Sequence, residues 1–158
     1  MKIETGYLYF LKDEFYNKLN DDTIMSNKGK AHSRPTYFTI RDKDILWFIP
    51  LSSKVDKYQK IIKNKVAKYG SCKSILIGNI AGNKSAILIQ NAFPALEKYV
   101  GHIHTYRGKP FKIVTSMKEE ILENFKYMLK MKSKGINLFF TDIDRLKAMM
   151  IEELKETN

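Results

Sequence analysis

The chain has 158 residues, one cysteine, and 28 Lys and Arg residues against 17 Asp and Glu, a formal net charge of +11. This length suits one domain, and a hydrophobic content of 44% excludes a chain that is mainly disordered. The single cysteine, Cys72, excludes an internal disulfide and a cysteine-rich zinc site. The sequence contains no run of about 18 apolar residues, the length that a membrane-spanning helix requires. Its N-terminus lacks the apolar core of a signal peptide. We therefore expect one cytoplasmic domain over residues 1–158.

Apolar spacing and turn signals define the predicted elements of the first half. Aromatic and β-branched runs are typical of strands, and apolar residues one helical turn apart indicate helices. Asp42-Lys43 separates two such runs as a hairpin turn. The predicted elements are a strand (3–10), a helix (12–19), a polar loop (20–33), two hairpin strands (35–41 and 44–50), and a lysine-rich helix that begins at Val55 and ends before Gly70.

The second half contains further strands and two long helices. The segment 91–100 is ambiguous, with a short helix started at Pro94 as one interpretation. Ser116 and Glu119 form a capping-box pattern ahead of a long apolar helical face. The other predicted elements are two strands (74–78 and 84–89), a closing strand (112–115) and a last helix after Thr141. Strands early and helices late predict the α+β class, with a compact, strongly bent antiparallel sheet and inserted and C-terminal helices.

The positive charge is concentrated in one part of the sequence. Residues 57–118 hold 12 basic side chains and one acid, Glu97, so this stretch carries the whole excess of +11 and the rest of the chain is neutral. Such an excess favours a polyanionic partner, either nucleic acid or an anionic membrane surface, although a basic balance can also serve solubility alone. The sequence lacks the basic amphipathic terminus of a peripheral membrane protein. We therefore expect a nucleic acid partner and no membrane.

The first segment with candidate chemistry is 28–35, a basic loop that leads into a strand. It combines the ammonium groups of Lys28 and Lys30 with the imidazole of His32 and the guanidinium of Arg34. An imidazole titrates near neutral pH and can transfer protons, whereas a guanidinium stays charged and can only stabilise an anion. The simpler interpretation of His32 is an ordinary exposed imidazole in a polar loop.

The second segment is 50–54, at the junction of a strand and the lysine-rich helix. It carries the hydroxyls of Ser52 and Ser53 and the ammonium group of Lys54 beside a helix N-terminus, which favours anions. In a simpler interpretation one serine only caps the helix, and Lys54 is a solvated surface charge. Because the hairpin strands are antiparallel, the two segments are expected to meet in space.

These two segments contain the groups that metal-independent RNA cleavage requires. The 2′-hydroxyl must lose a proton, the leaving 5′-oxygen must gain one, and the charge of the phosphorane must be stabilised. The candidate catalytic residues are Ser53, Ser52, Lys54, Arg34 and His32.

A third basic segment contains the pair His102 and His104, which would face the same side of a strand. A metal site needs three or four ligands and no further ligand lies close in sequence, so we expect no metal here. The mixture of aromatic and basic residues at 106–109 is typical of proteins that bind single-stranded RNA. The candidate RNA-binding residues are Lys28, Lys30, Lys57, Lys60, Lys63, His102, His104, Arg107, Lys109 and Lys112.

The segments within 28–54 resemble a family of ribonucleases, the toxins of type III toxin–antitoxin systems (ToxN, AbiQ, TenpN and CptN), with the CptN and TenpN branch nearest. The run Pro50-Leu51-Ser52-Ser53-Lys54 is similar to the family's Pro-Leu-Thr/Ser-Ser segment. The resemblance implies that Ser53 is the principal active-site hydroxyl, with Ser52 and Lys54 beside it. Family members often have a proline between the serine and the lysine, which are adjacent here, so the role of Lys54 is open.

The family resemblance also implies a fold, an activity and a partner. The fold is an SH3-like barrel of the MazF and Kid type, and the activity is metal-independent endoribonuclease cleavage that leaves a 2′,3′-cyclic phosphate, without a cofactor. The antitoxin is an RNA pseudoknot, cut by the toxin from a repeat transcript and assembled with it into a closed protein–RNA hetero-oligomer. The substrate is mRNA, and the family is associated with abortive phage infection.

The expected division of labour follows from where the charge lies. Ser53 would orient or activate the reacting group, Arg34 and Lys54 would neutralise the phosphate, and Ser52 would help to hold it. His32 would be the acid or base. The central basic residues would grip RNA rather than cut it, because the candidate chemistry lies outside the charged stretch. The alternative function is a non-catalytic RNA-binding module that uses the same basic face, with salt-dependent affinity and no cleavage.

Overall fold

The computed structural model describes residues 2–19, 24 and 34–157. The predicted loop over 20–33, with Lys28, Lys30 and His32, lies outside the described residues except for Ile24. The described chain forms nine strands and four α-helices. The strands are β1 (Leu8–Leu11), β2 (Thr36–Asp42), β3 (Ile45–Ser52), β4 (Ile75–Ile80), β5 (Asn83–Leu88), β6 (Phe93–Ala95), β7 (Val100–Ile103), β8 (Thr105–Tyr106) and β9 (Lys109–Pro110). The helices are α1 (Asp13–Leu19), α2 (Val55–Tyr69), α3 (Thr115–Ser133) and α4 (Ile143–Thr157).

Seven of the strands form one antiparallel sheet in the order β4-β5-β3-β2-β1-β7, with β6 paired to β3 off this path. Strands β8 and β9 form a separate hairpin. The α+β class is confirmed. The sheet is open, because β4 and β7 end the path and do not pair with each other among the described strands. The predicted closure into an SH3-like barrel is therefore not confirmed.

The core combines aromatic and aliphatic side chains of the sheet, α1 and the two C-terminal helices. The ring of Trp47 on β3 packs against that of Phe125 on α3, with centroids 5.7 Å apart. Leu146 and Met150 of α4 are fully buried, as the apolar spacing of that helix predicts. Burial of each such side chain contributes about 1.5–3 kcal/mol. This packing fixes the sheet whose end carries the candidate site.

Helix α2 has the predicted bounds but not a buried face. It ends at Gly70, whose φ of 84° suits glycine and whose N–H bonds the Val66 carbonyl at 2.8 Å. No residue of α2 is buried. Tyr58, Ile61 and Ile62 cover a small apolar cluster on β4 and β5. None of the described helices is both long and apolar enough to span a bilayer.

A helix that starts at Pro94, one interpretation of the ambiguous segment 91–100, does not form, and a short 3-10 helix lies later in the segment, over Glu97–Tyr99. Pro94 lies in β6, opposite Trp47 of β3. Its neighbours Phe93 and Ala95 are fully buried. A three-residue strand tolerates proline at the border of a sheet, and burial of its neighbours overrides the local helix signal.

Two predictions at the start of α3 also differ from the structure. The helix begins at Thr115 after Val114, and no side chain caps it, so the predicted capping box of Ser116 and Glu119 is absent at this end. The closing strand predicted over 112–115 is reduced to one isolated bridge between Lys112 and Tyr7.

Candidate active site

A cleft of about 580 Å³ opens where β3 ends. Pro50 lies opposite Thr36, the first residue of β2, and Ser52 lies opposite Ala86 of β5. The residues before β2 and those after β3 therefore meet here, as the hairpin predicts. Among the described residues, the polar ones that line the cleft are Arg34, Ser52, Ser53, Asn83, Lys84, Ser85 and His104.

The two serines have different surroundings. Ser52 is 6% exposed, and its hydroxyl oxygen accepts a hydrogen bond from the Lys54 N–H at 3.1 Å. This bond holds the turn from β3 into α2. Among the described residues the N-cap of α2 is Lys54, without a side-chain capping bond, so the interpretation of one serine as the helix cap is wrong. Ser53 is exposed and lines the cleft. The Ser53 hydroxyl is therefore placed to reach a substrate in the cleft.

Two basic side chains line the cleft among the described residues. Arg34, half-buried, precedes β2, and Lys84, exposed, lies on β5. Lys84 and its neighbour Ser85 are functional candidates that the sequence did not single out. Lys54 is exposed and is not among the residues that line the cleft.

His104 reaches the same cleft from the end of β7. Its N–H donates to the Leu8 carbonyl at 2.8 Å, and its carbonyl accepts from the Phe111 N–H at 3.1 Å, so the backbone is held on both sides. Its ring meets the edge of the Phe10 ring at a centroid distance of 5.6 Å. Burial, and secondarily the nearby His102, lowers the pKa of His104 below its usual 6.5. The imidazole is therefore mainly neutral at pH 7.

His102 contacts the same aromatic ring in a stacked arrangement. It is exposed and stacks on Phe10 with centroids 4.5 Å apart and planes at 24°. It does not line the cleft. Within the described residues no group of three His, Cys, Asp or Glu side chains is arranged to hold a metal.

The β8–β9 hairpin borders the cleft and carries two of the predicted RNA-binding residues. A Cβ atom on Gly82 would lie 2.7 Å from the Tyr106 hydroxyl, so the hairpin touches the β4–β5 turn, whose Ala81 lines the cleft. Arg107, in the β8–β9 turn, lies over the Tyr106 ring at 5.1 Å, and Lys109 is exposed on β9. This hairpin extends the basic surface from the cleft.

The remaining predicted RNA-binding lysines lie outside the cleft. Lys57, Lys60 and Lys63 are exposed on α2, which begins two residues after Ser53. Lys112 is exposed, and its ammonium group lies 5.8 Å from the Tyr7 ring. Their contact with RNA stays a prediction.

No family model and no curated protein sequence matches the chain. Solved structures match its fold over nearly the whole length. The structure of AbiQ, a lactococcal anti-phage endoribonuclease of the type III toxin–antitoxin system, has a TM-score of 0.74 at 16% identity and covers 96% of this chain and 99% of its own. A second structure comes from a bacterial type III system in which a non-coding RNA pseudoknot selectively inhibits the toxin. Its TM-score is 0.68 at 17% identity, over 95% of this chain and 98% of its own. The chain therefore has the fold of type III toxin–antitoxin proteins, and the predicted resemblance is confirmed at that level.

Proposed function

We propose that this protein is the toxin of a type III toxin–antitoxin system, a single-domain cytoplasmic endoribonuclease that needs no metal and is inhibited by its own RNA. The observation that carries the proposal is the cleft itself. On a fold shared with the endoribonuclease AbiQ, it gathers two cations, an exposed hydroxyl and a half-buried imidazole. These are the groups that RNA cleavage by 2′-hydroxyl attack requires.

In the proposed reaction the 2′-oxygen attacks the adjacent phosphorus. A bond forms between the 2′-oxygen and phosphorus while the bond to the 5′-oxygen breaks, which leaves a 2′,3′-cyclic phosphate and a 5′-hydroxyl. Arg34 and Lys84 stabilise the negative charge of the phosphorane, as fixed cations in a cleft do. The Ser53 hydroxyl orients the phosphate by donating a hydrogen bond to one of its non-bridging oxygens.

His104 is our candidate for the base that accepts the proton of the 2′-hydroxyl. A guanidinium and an ammonium are protonated at neutral pH, and a serine hydroxyl is too weak a base. Among the described residues that line the cleft, His104 is the side chain that titrates near neutral pH. His32, outside the described residues, keeps its predicted role as an acid or base and would suit protonation of the leaving 5′-oxygen.

The proposed partner is an RNA antitoxin. A pseudoknot inhibits the toxin of the second matching system, and this chain has a net charge of +11 to hold such a polyanion. We propose that the toxin cuts the antitoxin from a repeat transcript, forms a closed assembly with it, and attacks mRNA during phage infection when it is released.

The decisive experiment incubates the purified protein with the repeat transcript encoded upstream of its gene, in EDTA, and identifies the ends. We expect defined fragments with 2′,3′-cyclic phosphate and 5′-hydroxyl ends. Fragments with 3′-hydroxyl ends would contradict the mechanism, and salt-dependent binding without any cleavage would favour the non-catalytic RNA-binding module. Ser53→Ala should cleave about 10²- to 10³-fold more slowly than the wild type. Ser116→Ala, an exposed serine on α3, is the matched control.

A further inference from the structure

A second cleft, of about 510 Å³, lies between the C-terminal ends of α2 and α3 and the segment 136–140. Ser74, just before β4, lines it, whereas Ala81, just after β4, lines the candidate active site. Strand β4 has six residues, so at about 3.3 Å per residue the two clefts lie roughly 20 Å apart. The second cleft is large enough for a nucleotide and is separate from the proposed chemistry.

Exposed apolar side chains are concentrated at this cleft. Among the eight large hydrophobic side chains that are exposed in the described chain, four line it. A concentration of exposed apolar surface marks an interaction site more often than it serves stability. The four side chains and their exposed fractions are Tyr69 (68%), Phe140 (62%), Ile136 (48%) and Tyr127 (38%).

Each of the three aromatic rings has a lysine ammonium group beside it. These contacts are individually weak at an exposed site, about 0.5–1 kcal/mol, and the three aromatic side chains remain 38–68% exposed. Among the described residues that line the cleft there is no Asp or Glu. The distances from ammonium nitrogen to ring centroid are 5.2 Å for Lys68 and Tyr69, 5.3 Å for Lys73 and Tyr127, and 5.8 Å for Lys65 and Phe140.

Lys65 and Phe140 are fixed in place by buried groups. The Lys65 ammonium group donates to the Ser74 hydroxyl at 3.2 Å and lies 3.5 Å from the Gln90 side-chain oxygen. The Phe140 N–H donates to the Gln90 carbonyl at 2.7 Å. Gln90 is 2% exposed and Ser74 5%. These hydrogen bonds therefore fix the Lys65 ammonium group and the exposed Phe140 ring next to each other before any ligand binds.

We infer that this second cleft binds unpaired bases of single-stranded RNA, which stack on Tyr69, Tyr127 and Phe140 while Lys65, Lys68 and Lys73 neutralise the adjoining phosphates. The inference rests on the proposed function for the identity of RNA as the partner. Flat rings suit nucleobases. Lys65 and Lys73 line the cleft and Lys68 lies beside the Tyr69 ring, and these positive charges suit phosphates. A second copy of this chain would instead bring its own lysines against these, and like charges in contact are unfavourable.

The experiment measures the affinity of the full-length protein for a fluorescent single-stranded RNA with 2′-O-methyl groups, which cannot be cut by 2′-hydroxyl attack. We expect Phe140→Ala and Tyr69→Ala each to weaken binding about 5- to 150-fold, the effect of losing one stacked base. Phe140→Trp keeps a flat ring and should retain the affinity. Ile151→Ala, which shortens an exposed apolar side chain on α4 (38% exposed), should bind like the wild type.

A duplex of the same sequence should bind more weakly and be insensitive to Phe140→Ala, because its bases are already stacked. Wild-type affinity in both alanine variants would overturn the inference. So would a wild-type dimer in sedimentation that Phe140→Ala dissociates, since the cleft would then join two copies of the chain. Cleavage of unmodified RNA by the wild type, measured in parallel, tests the proposed function separately. A protein that binds through this cleft but never cuts refutes that function and leaves the inference standing.

Discussion

The backbone N–H of Lys54 donates a hydrogen bond to the Ser52 hydroxyl, 3.1 Å away, where β3 passes into α2. The bond occupies Ser52 in the turn and leaves the neighbouring Ser53 exposed to the cleft. Adjacent serines that look equivalent in the sequence are thus separated by the fold, one holding the backbone and the other open to a ligand.

Replacement of each serine by alanine should separate these tasks. Ser52→Ala removes the acceptor of the Lys54 N–H and should lower the free energy of unfolding by about 0.5–2 kcal/mol. In a chain of this size, each kcal/mol lost lowers Tm by about 2–4 °C. Ser53→Ala should leave Tm unchanged and slow RNA cleavage about 10²- to 10³-fold. Thermal denaturation and a cleavage assay on labelled RNA measure the two effects. A folded Ser53→Ala protein that cuts at the wild-type rate would remove Ser53 from the mechanism.

The two cations of the cleft should affect the cleavage step itself. Arg34→Ala should lower kcat about 10²- to 10³-fold, because the phosphorane loses a charged donor. Lys84→Ala should lower it less, since Lys84 is exposed to solvent and water screens its charge. Single-turnover kinetics with saturating RNA measure this step apart from binding. Lys155→Ala on α4 removes the same charge from an exposed position elsewhere, and an equal loss of rate there would contradict a specific role.

The paired histidines predict a pH profile. A general base must be unprotonated to accept a proton. At pH values above the pKa of His104, which lies below 6.5, kcat/KM should therefore be constant, and it should fall as the pH drops through that pKa. His102→Gln removes a neighbouring positive charge, so the pKa of His104 should rise and the acidic limb should move to higher pH. His104→Gln should abolish that limb and slow cleavage about 10²- to 10⁴-fold. An unchanged limb in His104→Gln would assign it to another group.

The lysines of α2 should act on RNA affinity more than on cleavage. The combined change of Lys57, Lys60 and Lys63 to alanine should weaken capture of the antitoxin RNA and reduce the slope of log affinity against log salt by up to about 2–3, since each lost phosphate contact contributes about 0.7–0.9. Tm should change little, because no residue of α2 is buried. Affinity at several salt concentrations and the single-turnover cleavage rate give the comparison. A larger loss of cleavage rate than of affinity would contradict the prediction that these lysines bind RNA and take no part in the cleavage step.

Much of the fold is encoded in local patterns. The hairpin of β2 and β3 follows from two aromatic and β-branched runs around a turn, and the C-terminal end of α2 follows from Gly70, so each signal acts within a few residues. Pro94 shows where this fails. Its local preference favours a helix start, but pairing with Trp47, distant in sequence, decides its conformation. The open sheet likewise depends on which strands meet, and no local pattern specifies that.

The site was predictable only in part for the same reason. Arg34 and Ser53 belong to one hairpin, so a local pattern brings them together. Lys84 and His104 reach the cleft because β5 and β7 take particular places in the sheet order. His104 was predicted as an RNA contact in a basic segment, and its place in the same cleft as Ser53 results from long-range strand pairing. The lowered pKa of His104 depends on burial against Phe10, which no spacing in the sequence indicates.

Strand β4 joins the two clefts by a fixed length of paired backbone. A hydrogen-bonded strand neither stretches nor shortens, so the protein itself sets how far the stacking surface lies from Ser53. For any RNA that occupies both clefts, this distance fixes the length of RNA between the stacked bases and the cleaved bond. The bond that is cut would then be chosen by counting nucleotides from the anchored bases, and lengthening or shortening the unpaired segment would move the cut along the transcript.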